Sequence, residues 1–122
     1  MLSPPNKGSE VADTLRHSIF YRWATGPAGQ QLGTDPDSVP NRLAPIDTEV
    51  GVISGRRSSD PWFSSLFRGE NDGKVAVARA RLNEMKDFLV VDAGHTFIML
   101  RRDVMEQIYH FLCHGQFFQQ SP

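Results

Sequence analysis

Val90-Val91-Asp92-Ala93-Gly94-His95-Thr96-Phe97 is the stretch whose reading decides the fold. With Phe88-Leu89 before it, the segment opens as a short unbroken apolar run and is stopped by Gly94. Runs of that length and continuity are strands covered on both faces. Upstream, Glu49-Val50-Gly51-Val52-Ile53-Ser54-Gly55 is a second such strand, β-branched and closed by glycine. Between the two, Val75 to Met85 alternates charged with small apolar residues, as a helical turn or short helix does. Short buried strands separated by helices predict an α/β fold with a short, mostly parallel sheet flanked by helices. A histidine just past a strand end is then presented over the C-terminal edge of the sheet, where open α/β sheets build their sites.

Working outward, Pro4-Pro5-Asn6-Lys7-Gly8 is an extended entry that cannot be helical. Ser9 is placed to cap the helix that follows, with Glu10 and Asp13 in its positive first turn. Val11, Leu15 and Ile19 share one face of that helix at i, i+4 spacing. Tyr21 to Leu32 reads as a second short helix or helical turn, broken around Gly26-Pro27. Residues 33–45 carry three prolines with Asp, Asn and Ser, which is loop chemistry. Arg56 to Glu70 is a long connection with an aromatic patch of Trp62, Phe63 and Phe67, a length that points to a site-lining segment. Near the end, Asp103 with Glu106 three residues on resembles a capping box. Val104, Ile108, Phe111 and Leu112 form the apolar stripe of the helix it would start, and Gly115 stops it. Residues 1–118 are expected to form one segment, and 119–122 a disordered tail.

Composition narrows the function. The chain has 122 residues, enough for one domain and too few for two. A net charge of −1 gives no electrostatic case for nucleic acid or acidic lipid. No apolar run approaches the ~20 residues of a membrane span. The single cysteine, Cys113, excludes an internal disulfide. The start Met1-Leu2-Ser3-Pro4-Pro5 does not read as a signal peptide, so a cytoplasmic location is the default expectation.

Asp72 lies in Gly69-Glu70-Asn71-Asp72-Gly73-Lys74-Val75, a turn leading to the last strand, 23 residues before His95. A carboxylate delivered there can accept the imidazole Nδ1–H, fix its tautomer and stabilise the imidazolium. Asp72 in Asn-Asp-Gly is also what an ordinary turn looks like, and Asp60, closer to the strand exit at Gly55, is the alternative acid. Asp92 is expected to face solvent. His110 and His114 stand at i, i+4 beside Cys113. Histidines in a last helical turn suit its negative end, so neither a metal nor a cofactor is expected. The pairs Arg56-Arg57, Arg79/Arg81 and Arg101-Arg102 are expected to be solvated surface.

Asn71-Asp72-Gly73-Lys74-Val75, then His95-Thr96-Phe97-Ile98-Met99, then a last helix ending His114-Gly115-Gln116-Phe117, resembles the C-terminal part of bacterial α/β-hydrolases of the lipase/esterase type. Pro4-Pro5-Asn6-Lys7-Gly8-Ser9, Tyr21-Arg22-Trp23 and the stretch Gly26 to Gly33 fit the same family, so the likeness runs from about Leu2 to Phe117. It implies a partial α/β-hydrolase fold of about three strands, beginning with a stub at Leu2-Ser3, with Asp72 matching the triad acid and His95 the triad base. The family's G-x-S-x-G nucleophile elbow is missing, since no serine here has glycine two residues before and two after it. The resemblance therefore implies a truncated serine hydrolase segment, inactive alone, with an ester or acyl substrate only once completed. Its open sheet edge implies self-association or docking with a complementary hydrolase segment; the alternative is a non-catalytic interaction or oligomerisation module, or one part of a split enzyme completed in trans.

Overall fold

The computed structural model describes residues 1–58, 67 and 69–118. Two strands, β1 (Gly51–Gly55) and β2 (Asp87–Val91), pair in parallel with Val52 beside Phe88 and Ile53 beside Leu89. The expected third line is reduced to a single parallel bridge between Leu2 and Ile53. Ser3 N–H donates to the Ile53 carbonyl at 2.7 Å and Ile53 N–H to that of Met1 at 2.9 Å. β1 is therefore the inner line, buried at all five positions, while β2 is only half-buried along its length. The expected α/β class, with a short parallel sheet and flanking helices, is what forms.

Alternation along β1 sends successive side chains to opposite faces. Ile53 faces a layer of Ala93, Ile98, Val104 and Phe117, with Leu89, Ile108 and Phe111 packed against it. Val50 and Val52 face Val75 and Ala80, with Ile46, Leu82, Met85 and Phe88 at the margin. Gly51 is where the chain has no room for a side chain: a Cβ there would stand 2.6 Å from the Phe111 ring. That approach seats the last helix, α5 (Arg102–His114), against the sheet.

Before the sheet come α1 (Glu10–Leu15), α2 (Ile19–Gly29) and α3 (Val39–Arg42); α4 (Val77–Ala80) lies between the strands. Ser9 caps α1 as expected, its Oγ accepting from Val11 N–H at 3.3 Å. Ile19 does not continue the α1 face. The helix ends at Leu15, Ser18 caps a new one, and Ile19 stands 80% exposed. The predicted break in α2 falls at Gly26, which takes a φ of 59° immediately before Pro27. The proline-rich loop holds one helical turn, α3, because Pro40 sits in the first turn, where its missing N–H costs nothing.

The capping box is a second correction. Arg101 is the N-cap of α5, and Asp103 lies inside the first turn, where Arg101 Nη2 binds it at 2.6 Å. Leu112 leaves the apolar stripe and is 77% exposed, whereas Gly115 supplies the stop, at a φ of 71°. The arginines are more than solvated surface. Arg56 pairs with Asp92 at 2.6 Å, Arg79 with Glu10 at 2.8 Å, and Arg81 lies 3.8 Å over the Phe88 ring. Among the described residues no helix is long and apolar enough to cross a membrane.

Candidate functional site

The site grows from two exits of the sheet. After the connection that follows β1, the chain turns at Asn71–Ala76, which close on each other through an antiparallel bridge. The Asn-Asp-Gly sequence dictates the turn. Asn71 Oδ1 accepts from Gly73 N–H at 3.0 Å, and Gly73 takes a φ of 96°. Asp72 Oδ1 accepts from the N–H groups of Lys74 at 2.9 Å and Val75 at 2.8 Å. Such side-chain-to-backbone bonds are the turn chemistry of Asn and Asp. They leave the other carboxylate oxygen, Oδ2, free to point elsewhere.

Past β2, Gly94 opens a turn by accepting from Phe97 and Ile98 N–H at 3.3 and 3.1 Å. This leaves His95 beside Asp72. His95 N–H donates to the Asp72 carbonyl at 3.0 Å, and its ring Nδ1 stands 2.8 Å from Asp72 Oδ2. The histidine is held twice, once by its backbone and once by its ring. The Asp72 side chain is fully buried and that of His95 is 31% exposed. Burial alone would raise the Asp72 pKa. Hydrogen bonds from His95, Lys74 N–H, the Ser3 hydroxyl and Val75 N–H outweigh it, and the carboxyl lies below its ordinary value. With an ionised carboxylate on Nδ1, Nε2 is the ring nitrogen left to accept a proton.

His95 opens onto an apolar cleft of about 430 Å³ lined from the α1 side by Val11, Ala12, Leu15 and Leu32, and from the turn by Gly73 and Val75. Ser9 ties these walls together: its Oγ donates to the Lys74 carbonyl at 2.7 Å while capping α1. The structure thus brings Asp72 and His95 together. Asp60, the alternative acid, lies outside the described residues, as do Trp62 and Phe63; Phe67 is buried. Asp92 is exposed and bound to Arg56. His110 and His114 stack at 4.2 Å, and each Nδ1 bonds a backbone carbonyl. No cluster of three or more metal-ligating side chains occurs among the described residues.

Two contributors to the site escaped sequence reasoning. Helical spacing puts Val11 and Leu15 on one face of α1, and that face also lines the cleft. Ser3, expected only as part of a strand stub, is buried, at a φ of 40°. Its signal was an unusual one, a small hydroxyl residue between an apolar stub and Pro4-Pro5.

No protein-family model and no curated protein matches the chain. Among solved structures the fold is similar to that of the Bacillus licheniformis lipase BlEst2. The mature form aligns with a TM-score of 0.62 at 19% identity, over 92% of this chain and 51% of that one. The propeptide form aligns with a TM-score of 0.60 at 23% identity, over 98% of this chain and 30% of that one. The chain spans about half the length of the mature lipase, and what the two share is a partial lipase-like fold.

Proposed function

We propose that this chain carries the acid and the base of a serine ester hydrolase, Asp72 and His95, and that nucleophile and oxyanion-hole donors lie on polypeptide outside these 122 residues. The observation that carries the proposal is the 2.8 Å pairing of His95 Nδ1 with a fully buried Asp72 carboxylate, with His95 lining an apolar cleft. In that arrangement Nε2 takes the proton of an attacking hydroxyl and returns it to the leaving alcohol, while Asp72 stabilises the imidazolium between the two steps. An acyl chain suits the cleft walls of Val11, Leu15 and Leu32.

Alone, the pair has nothing to activate. Removing a single oxyanion-hole donor from a complete enzyme costs about 10²–10³ in rate, and here the hole and the nucleophile are both to be supplied. The isolated chain is expected to hydrolyse no ester and to take no fluorophosphonate label; a stoichiometric adduct on any of its serines overturns the proposal. Adding a separately produced segment with the strand, G-x-S-x-G turn and helix should restore ester hydrolysis, and His95→Ala should abolish it.

A second reading, a non-catalytic interaction or oligomerisation module, is favoured by a different observation. An apolar groove of about 330 Å³ runs between the Met1-Leu2 end and α5, lined by Ile53, Ile108, Phe111 and Leu112. Leu2 pairs with β1 on one side only among the described residues. Size-exclusion chromatography at micromolar concentration tests this reading, and a clean, stable monomer counts against it.

A further inference from the structure

Ser9 is fixed where α1 begins. Its N–H donates to the Leu32 carbonyl at 2.9 Å, and its own carbonyl accepts from Asp13 N–H at 3.3 Å. Just before it, Gly8 takes a φ of 83° and passes so close to Gly33 that a Cβ would collide with the Gly33 carbonyl oxygen. From that place the hydroxyl bonds in two directions. Its oxygen accepts from Val11 N–H at 3.3 Å, the capping bond, and its hydrogen goes to the Lys74 carbonyl at 2.7 Å, 65 residues along the chain. The second bond is the shorter. Ser18, the cap of α2, by contrast accepts from Tyr21 N–H at 3.5 Å, inside its own helix.

The Lys74 carbonyl is one end of a planar peptide unit whose other end is the Val75 N–H. That N–H donates to Asp72 Oδ1 at 2.8 Å, in a buried bond. The other carboxylate oxygen, Oδ2, stands 2.8 Å from His95 Nδ1. Ser9, the peptide between Lys74 and Val75, Asp72 and His95 thus form one line of hydrogen bonds from the start of α1 to the imidazole. Hydrogen bonds in series polarise one another, so a donor on the peptide carbonyl strengthens the N–H of the same unit. Serine suits the position because a hydroxyl accepts and donates at once. Ser9 and Lys74 also line the cleft onto which His95 opens.

We propose that Ser9 is a positioning residue for the acid–base pair: its hydroxyl orients the peptide between Lys74 and Val75, and that peptide holds Asp72 Oδ1 so that Oδ2 faces His95 Nδ1. This rests on the reading of Asp72 and His95 as acid and base. Ser9 acts only through the peptide and the carboxylate. The consequence is that α1 contributes to the site through its cap as well as through its apolar wall.

The test compares Ser9→Gly, Ser9→Ala, Ser9→Thr and Asp72→Asn with the parent in the full 122-residue chain. Three NMR quantities are read at one neutral pH: amide exchange at Val75, amide exchange along α1, and the carbon shift of the Asp72 carboxylate. Glycine caps a helix almost as well as serine but has no hydroxyl, whereas alanine loses cap and hydroxyl together. Threonine keeps both, and the extended backbone of Ser9, at a φ of −131°, accommodates it. If Ser9 positions the acid, Ser9→Gly leaves exchange in α1 within about twofold of the parent. Val75 N–H then exchanges about tenfold faster, the size of one lost hydrogen bond, the Asp72 carbon shift moves, and Ser9→Thr returns both to parental values. If Ser9 is a cap and no more, Ser9→Gly leaves Val75 and Asp72 at parental values and only Ser9→Ala disturbs them, through α1. Faster exchange at Val75 with an unmoved Asp72 carbon would show that the hydroxyl holds the turn and not the acid. Either result overturns the proposal while the pairing of Asp72 with His95 stands. The pairing fails separately, and the role of Ser9 with it, if Asp72→Asn leaves the His95 ring shifts at parental values.

Discussion

The exits of β1 and β2 and the outer faces of α2 and α5 are built on opposite terms. At the exits, polar groups are matched in a small volume: both Asp72 oxygens, the Asn71 side chain, the Ser3 hydroxyl and His95 Nδ1 all have partners. On the helices the apolar groups go uncovered. Ile19, Phe20 and Trp23 of α2 are all at least 80% exposed, and Tyr109 and Leu112 of α5 are nearly as open. The exits are made by contacts within turns and between neighbouring strands, so this chain can complete them itself. The helix faces need a second layer to cover them. Hydrogen bonds close the exits locally, whereas apolar side chains on the helix faces lie open among the described residues.

Both regions hang on the sheet, so the most damaging single change lies beneath them. Ile53 is buried to 1% and is the β1 residue that also pairs with Leu2 and packs on Val104 and Phe117. Ile53→Ala should cost about 2–5 kcal/mol, read from urea unfolding. A loss below that range would mean that the layer between sheet and α5 is loose, and the contrast with the open faces would weaken.

Next in size is the acid itself. Asp72→Ala strands the Lys74 and Val75 N–H groups and the imidazole, a loss of roughly 2–4 kcal/mol. The pH dependence has a definite sign. Because the native carboxyl lies below its unfolded value, its contribution is complete above the unfolded pKa of about 4 and is lost as pH falls through the native one. Urea midpoints of the parent and Asp72→Asn should therefore converge as pH falls below about 4. Parallel curves down to pH 3 would show that the charge on Asp72 contributes nothing.

What was legible beforehand follows the same division. The strands were legible because each is a short β-branched or apolar run closed by glycine, and the Asp72 turn because Asn-Asp-Gly specifies its own hydrogen bonds. The pairing of Asp72 with His95 was legible only as an order of residues along consecutive strand exits. The place of Ser3 was not, since its oxygen bonds Gly55, 52 residues away, and its backbone angle is one that neither serine nor a residue before proline favours. The end of α1 was lost because Val11, Leu15 and Ile19 keep helical spacing straight through the break, and only the Ser18 cap marks it. The start of α5 was misplaced because Asp103 fits a cap on paper, whereas Arg101 reaches its carboxylate and also the Asp92 carbonyl at 3.0 Å.

A smaller effect tests whether the cleft wall is held from the outside. Arg79 on α4 binds Glu10 at 2.8 Å and the Lys7 carbonyl at 2.9 Å, joining α4 to the segment that opens α1. Arg79→Ala should cost about 1 kcal/mol, near the upper end for a partly exposed pair. It should also speed amide exchange in α1 more than in β1. Equal effects on both would show that α1 is part of the sheet's cooperative unit and not a separately held wall.

The smallest effect on folding carries the sharpest test of the contrast. Leu112 belongs to the stripe that α5 turns toward the sheet by sequence, yet it stands 77% exposed at the mouth of the groove beside Met1 and Leu2. If nothing in the monomer covers it, Leu112→Ser should change stability by no more than about 0.5 kcal/mol, the range of ordinary surface substitutions. The same change removes apolar area from any surface laid over the groove, so it should shift self-association or docking of a complementary segment toward the free chain, as read by sedimentation or size exclusion. A loss of 2 kcal/mol or more in a monomer, of the size typical of core truncation, would place Leu112 in the core, and the groove would then be a feature closed by this chain alone.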